Sequence, residues 1–140
     1  MRQLTLKELQ TNEAVKKHFD WIPDWTEESL FSCFNFLALE LEPYEFFFSD
    51  NSACVLVKGA GKLGDVEITP DTSFGLRLYD VHEDNYVFKK AQMHQDMFKA
   101  TEDSIIICFN ENIFNDVCFG MGCGSMHMRF KRLIYNSVLE

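Results

Sequence analysis

The sequence predicts an α+β fold in which N-terminal helices pack on an antiparallel β-sheet or barrel of about six to eight strands. The chain has 140 residues, of which 46% are hydrophobic, and this suits one domain with a substantial core. Capping signals and helical periodicity are concentrated in residues 1–43. From residue 44 onward, short apolar stretches alternate with turn residues, as in strands. We therefore treat 1–140 as a single domain, mainly helical over 1–43 and mainly β over 44–140.

Two short helices are predicted at the N-terminus. Thr5 and Glu8 have the spacing of a capping box, in which each side chain bonds to the backbone N–H of the other residue. A helix from about Leu6 is expected to follow. Asn12 is expected to cap a second helix.

The strongest helical pattern begins near Thr26 and is expected to end at Pro43. Trp25 precedes the cap and can pack against the first turns as a hydrophobic staple. One apolar stripe at helical spacing is formed by Leu30, Phe34, Leu37 and Leu41.

Strands are predicted in the remainder of the chain from alternating or continuous apolar stretches. They cover 45–48, 53–58, 65–69, 74–79, 86–88 and 104–109, and 117–123 and 125–135 are predicted as a last hairpin. The continuous apolar pattern of 104–109 indicates a central strand. Residues 82–85 form a polar turn, 91–101 are expected to be a short helix or a loop, and 111–116 suit one helical turn.

Charge is the most informative functional signal. The net charge is −9, and no Lys or Arg occurs between His18 and Val57. The same stretch contains eight carboxylates: Asp20, Asp24, Glu27, Glu28, Glu40, Glu42, Glu45 and Asp50. Such a field repels nucleic acids and anionic membranes and attracts basic surfaces.

This pattern predicts a non-catalytic binding protein that needs no cofactor. Its expected partner is a basic protein, such as a toxin or a nucleic-acid-binding enzyme, which it would inhibit. Small size and acidic charge are shared with immunity and inhibitor proteins that block nucleases, an analogy of class alone. The predicted contact residues are Asp20, Trp21, Asp24, Trp25, Glu40, Glu42, Glu45 and Asp50. A solvated acidic surface is the alternative interpretation of the same residues.

Two glycine-rich segments resemble ligand loops only superficially. Residues 59–64 match the spacing GxGxxG, but a dinucleotide site needs a helix to begin at the third glycine. The alternating residues that follow predict a strand, so the glycines indicate a turn with positive φ. The second segment, 119–125, is consistent with a tight bend or with the close approach of a ligand.

The alternative functions are a small-ligand or metal-binding β-barrel domain and a small enzyme with its site near Cys123 and His127. Cys118, Cys123 and His127 are weak metal candidates, because structural zinc sites usually have two closely spaced pairs. A deep pocket lined by His82, His94, Cys123 and His127 would favour the ligand-binding alternative.

The thiols and the N-terminus indicate the compartment. The chain has five Cys, and most of them have apolar neighbours, which predicts reduced thiols in the core. No signal peptide or apolar membrane span is evident in the sequence. We therefore expect a cytoplasmic protein.

Overall fold

The computed structural model describes residues 1–18 and 37–110 and, beyond them, the single residues 132 and 134. The described ranges contain two helices, α1 (Leu6–Thr11) and α2 (Glu13–His18). They also contain eleven strands: β1 (Arg2–Gln3), β2 (Leu37–Leu41), β3 (Phe46–Phe48), β4 (Ser52–Lys58), β5 (Gly61–Leu63), β6 (Val66–Ile68), β7 (Thr72–Phe74), β8 (Leu76–Glu83), β9 (Tyr86–Met93), β10 (Met97–Ala100) and β11 (Ser104–Asn110). The mixed composition agrees with the predicted α+β class, with strands predominating.

Both N-terminal helices begin at the predicted caps. The Thr5 hydroxyl accepts a hydrogen bond from the Glu8 N–H, and the Glu8 carboxylate accepts one from the Thr5 N–H. Asn12 Oδ1 accepts hydrogen bonds from the N–H groups of Ala14 and Val15. Each helix has six residues, and no helix in the described ranges is long and apolar enough to cross a membrane.

The main sheet has five antiparallel strands in the order β1-β2-β11-β4-β7. The predicted central position of 104–109 is confirmed, because β11 lies between β2 and β4. Residues 53–57 of β4 are all buried. A strand buried on both faces has a continuous apolar sequence, so the main sheet is covered on both sides.

Different elements cover the two faces. On one face, Leu9 of α1 and Val15 of α2 belong to the same buried cluster as Val55 of β4 and Ile107 of β11. On the other face lies a second sheet with four strands in the order β3-β10-β5-β6. Its cluster with the main sheet consists of Leu39, Leu41, Cys54, Leu56, Leu63, Ile68, Phe74, Phe98, Ala100, Ile106 and Cys108. The described strands therefore form open, layered sheets, and the predicted alternative of a closed barrel is not observed.

Strands β8 and β9 form a two-stranded hairpin of their own. Its turn lies at Asp84 and Asn85, within the polar segment where the sequence predicts it. At its base, Leu78, Ala91 and Met93 pack against the helix-side cluster. Most residues nearer the turn are exposed, so the hairpin extends beyond the core.

The predicted helix from Thr26 to Leu41 is wrong at its C-terminal end. Leu37–Leu41 is strand β2, paired with β1 and β11. Leu37 and Leu41 are four residues apart, which suits a helix, but together with Leu39 they also alternate, which suits a strand. Pairing with β11, more than sixty residues away in sequence, decides between the two patterns. Leu30 and Phe34 lie outside the described residues.

Two further predictions need correction. Residues 91–101 are neither a helix nor a loop throughout, because they contain the end of β9 and all of β10. Strand β10 is stabilised by pairing with β3 and β5, two partners distant in sequence. In the predicted C-terminal hairpin, Arg132 and Ile134 are helical; the remainder of that hairpin and the segment 111–116 are not described.

The glycine motif forms turns, as predicted. Gly59 and Gly64 have φ values of 94° and 60°, a region that glycine enters without steric cost. Strand β6 follows Gly64, where a dinucleotide site would need a helix. The thiol prediction is confirmed for Cys54 and Cys108, which are free and buried, while Cys33, Cys118 and Cys123 are not among the described residues. Burial raises the pKa of the Cys54 thiol.

Candidate functional site: an acidic cleft

A cleft of about 310 Å³ lies at one end of the main sheet. Because β2 and β11 are antiparallel and Leu41 pairs with Ser104, the end of β2 lies beside the start of β11. The end of β4 reaches the same place. The cleft is lined by Glu40, Leu41, Glu42, Lys58, Asp103, Ser104 and Ile105.

Local backbone features shape this cleft. The register between β4 and β11 shifts by one residue, since Ile105 pairs with Lys58 and Ile106 with Leu56. Such a bulge redirects the side chains beside it, here next to Lys58. The left-handed Gly59 follows, and a Cβ on it would lie 2.4 Å from the Asp103 carbonyl oxygen. Glycine at this position therefore allows the 59–61 turn to pass close to the start of β11.

The walls of the cleft carry more negative than positive charge. Glu40, Glu42 and Asp103 contribute three carboxylates, whereas Lys58 contributes one ammonium group. All four residues are exposed. Leu41 and Ile105 also line the cleft, but both are buried and belong to the clusters on opposite faces of the main sheet. A cationic group fits this charge distribution.

Arg2 partly neutralises one wall. Its guanidinium forms two hydrogen bonds with the Glu8 carboxylate, at 2.9 and 2.8 Å, and one nitrogen lies 3.5 Å from the Glu40 carboxylate. The hydrogen bond from Arg2, with those from Thr5, lowers the pKa of Glu8 to about 2. The Glu8 hydrogen bond in turn raises the pKa of Arg2. Arg2 therefore shares its charge between Glu8 and Glu40.

Glu45 stabilises the turn that carries Glu42. Its carboxylate accepts a hydrogen bond of 2.8 Å from the Glu42 N–H and pairs with the N-terminal ammonium group. The hydrogen bond from that ammonium group is the main reason why the pKa of Glu45 is lowered. Glu45 thus holds the turn beside the cleft without lining it.

The structure brings together some of the predicted contact residues. Glu40 and Glu42 line the cleft and Glu45 is adjacent to it. Asp50 lies beyond the opposite end of β4, hydrogen-bonded to Gln95, and that seven-residue strand separates it from Lys58 by about 20 Å. Asp20, Trp21, Asp24 and Trp25 lie in the stretch 19–36, which is not described.

The sequence pattern does not identify three residues at the cleft: Asp103, Lys58 and Arg2. Asp103 precedes a predicted strand, but its position beside Glu42 depends on the pairing of β2 with β11. The apolar pattern of residues 37–41 predicts a helix, so it does not indicate that these residues pair with β11. The misassigned strand therefore explains why Asp103 and Arg2 were missed, because Arg2 is placed beside Glu40 by the pairing of β1 with β2.

Among the described residues, His82 and His94 do not lie in one pocket. His82 pairs with Val87 near the hairpin turn, whereas His94 follows β9 at the hairpin base. Seven residues of extended chain between Val87 and His94 correspond to about 23 Å. Within the described residues, no group of three metal-binding side chains is found. Cys118, Cys123 and His127 are not described.

His94 instead belongs to a polar network around the buried Asp96. Arg77 donates two hydrogen bonds of 2.9 Å to the Asp96 carboxylate, Gly75 N–H donates one of 2.7 Å, and His94 Nδ1 lies 2.9 Å from it. Burial favours a raised pKa for Asp96, but the hydrogen bonds, chiefly those from Arg77, lower it overall.

This network has a positioning role. The Ser49 hydroxyl donates to the His94 carbonyl and accepts from the Asp96 N–H. Because those bonds involve backbone groups, Ser49 is not arranged as a nucleophile activated by the His94 ring. The network ties the base of the hairpin to the β3–β4 turn.

Comparisons with protein-family models, with curated proteins and with solved structures find no match for this chain.

Proposed function

We propose that this protein binds a basic protein partner through the acidic cleft and inhibits it, as immunity-type proteins do. The observation that supports the proposal is the cleft itself, which is lined by three carboxylates and one ammonium group. The net charge of −9 adds a long-range attraction for the same kind of partner.

A Lys or Arg side chain of the partner would enter the cleft. Its charged end would bind Glu42 and Asp103. Glu40 would be the weaker contact, because Arg2 already lies beside it.

Inhibition follows from the chemistry of the proposed partner. A toxin or enzyme that acts on nucleic acid uses basic residues to bind phosphate groups. An acidic protein that covers those residues blocks access of the substrate and repels it.

The test is affinity capture from extracts of the native host at low salt. The immobilised proteins are the wild type, the charge-reversal variant Glu42→Lys/Asp103→Lys, and the control Asp65→Lys/Glu67→Lys. Asp65 and Glu67 are exposed at and after the β5–β6 turn, so both variants change the net charge equally. Glu45 is left unchanged because it stabilises the turn.

We expect the wild type and the control to retain the same basic protein, and the cleft variant to lose it. The captured protein should also lose its own activity when the wild type is added. If all three immobilised proteins retain the same partner, or if none retains any partner, the acidic cleft is only a solvated surface.

A further inference from the structure

The outer part of the β8–β9 hairpin presents a face with large apolar side chains exposed to solvent. Tyr79 is 44% exposed and Tyr86 is 57% exposed, and Val81 and Phe88 are partly exposed. A two-stranded hairpin without cover is only marginally stable in water. We define the hairpin face as Tyr79, Val81, Glu83, Tyr86, Phe88 and Lys90.

The strand register arranges this face in three rows. The middle row pairs Val81 with Phe88 and is apolar. The row nearer the base pairs Tyr79 with Lys90, and the row nearer the turn pairs Glu83 with Tyr86. Each outer row lies two residues from the middle, about 7 Å.

The outer rows carry opposite charges at equivalent distances from the centre. Lys90 is exposed and forms no ion pair within the described residues. Glu83 accepts a hydrogen bond of 3.3 Å from the Tyr86 hydroxyl. On the opposite face of the hairpin, Lys89 and Asp80 pair directly at 3.1 Å, so that face has its charges matched within one molecule.

We propose that the hairpin face is a self-association surface, and that its occupant is the same face of a second copy of this chain. A two-fold axis that lies between the two stacked faces, parallel to the Val81–Phe88 row, reverses the order of the rows. The apolar rows then stack on each other, and the row with Lys90 faces the row with Glu83 of the second copy. Because this axis places each strand over its own copy, Lys90 lies over Tyr86 and diagonally across from Glu83. Two equivalent diagonal Lys90–Glu83 pairs form, as required of a closed, self-complementary interface.

The contact area limits the affinity of this dimer. Three rows of a hairpin are smaller than the interface of a permanent dimer, so the association is weak and depends on concentration. The apolar centre supplies the attraction, and the paired charges fix the orientation. The hairpin face shares no residue with the acidic cleft, so this association does not depend on the partner proposed for the cleft.

The test is sedimentation velocity of the full chain over a concentration series from about 10 µM to about 1 mM, the range of weak association. Four proteins are compared: the wild type, Lys90→Glu, Glu83→Lys, and the double variant Glu83→Lys/Lys90→Glu. The control is Asp80→Lys/Lys89→Glu, which exchanges the paired charges on the opposite face. Circular dichroism confirms that each protein is folded.

We expect the wild type to pass from monomer to dimer within this range. Each single reversal places like charges opposite each other twice, and should weaken the dimer by about tenfold or more. The double variant restores opposite charges across the axis and should return the dissociation constant to within about threefold of the wild type. The control should behave as the wild type.

A wild type that remains monomeric throughout overturns the proposal. So does a dimer that tolerates both single reversals, or one that the double variant does not restore. Exchange of charges rescues only an interface in which Lys90 meets Glu83, so a general loss of folding cannot imitate the expected pattern.

Discussion

At the scale of single residues, Asp96 is the most strongly constrained charged group in the described residues. Its carboxylate is largely buried and is bonded by Arg77, Gly75 and His94. Its position was not predictable from sequence, because the partners come from β8 and from the loops around it. Sequence did identify the local bonds, such as the Thr5 and Asn12 caps, whose partners lie within a few residues.

We expect Asp96→Asn to lower the free energy of unfolding by about 2–3 kcal/mol. The substitution leaves the Arg77 guanidinium, which is 37% exposed, without its carboxylate partner, and breaking a partly buried pair is costly. Urea unfolding measures the change. In the matched control, Asp80→Asn, the pair with Lys89 is exposed, and the loss should stay below about 1 kcal/mol.

The contribution of Asp96 should also depend on pH. Its pKa in the folded protein is below the ordinary value of 3.8, so protons bind more tightly to the unfolded chain. The stabilisation is complete above 3.8 and is lost as the pH falls through the lower, folded-state pKa. The difference in unfolding free energy between the wild type and Asp96→Asn should therefore be constant near neutral pH and shrink below about pH 4. A difference that grows on acidification would contradict this account.

At the scale of elements, local patterns identified the strands that carry a clear apolar signal. The positions of β4, β6 and β11 follow from alternation or from a continuous apolar stretch. Strands β2 and β10 were not identified, because their residues suit more than one conformation and distant neighbours select the strand. Since β2 forms a wall of the cleft, the same ambiguity hid the position of Asp103 near Glu40 and Glu42.

The contact between the two sheets supplies an element-scale prediction. Phe98 of β10 is fully buried and stacks on Phe74 at a ring distance of 5.5 Å. We expect Phe98→Ala to destabilise the protein by about 3–5 kcal/mol. Phe48 of neighbouring β3 is 51% exposed, so Phe48→Ala is the control and should cost less than about 1 kcal/mol. If urea unfolding gives similar losses of unfolding free energy for both variants, Phe98 does not face the main sheet as described.

At the scale of the whole molecule, composition predicted a single acidic α+β protein but not the distribution of its charges. The carboxylates between His18 and Val57 do not form one face, since Asp50 is separated from Glu40 and Glu42 by the length of β4. A sequence-distant carboxylate, Asp103, joins the cleft in its place. Chain folding, not sequence proximity, therefore determines which acidic residues act together.

We propose that the acidic cleft attracts a basic partner, and the association rate of the captured partner at increasing ionic strength measures this attraction. For the wild type and for Asp65→Lys/Glu67→Lys, the rate should fall steeply with salt, because electrostatic attraction accelerates the encounter. For Glu42→Lys/Asp103→Lys, the rate should be lower at low salt and depend less on salt. An association rate that is insensitive to salt, or that is the same for the cleft variant and the wild type, would show that the acidic cleft does not attract the partner.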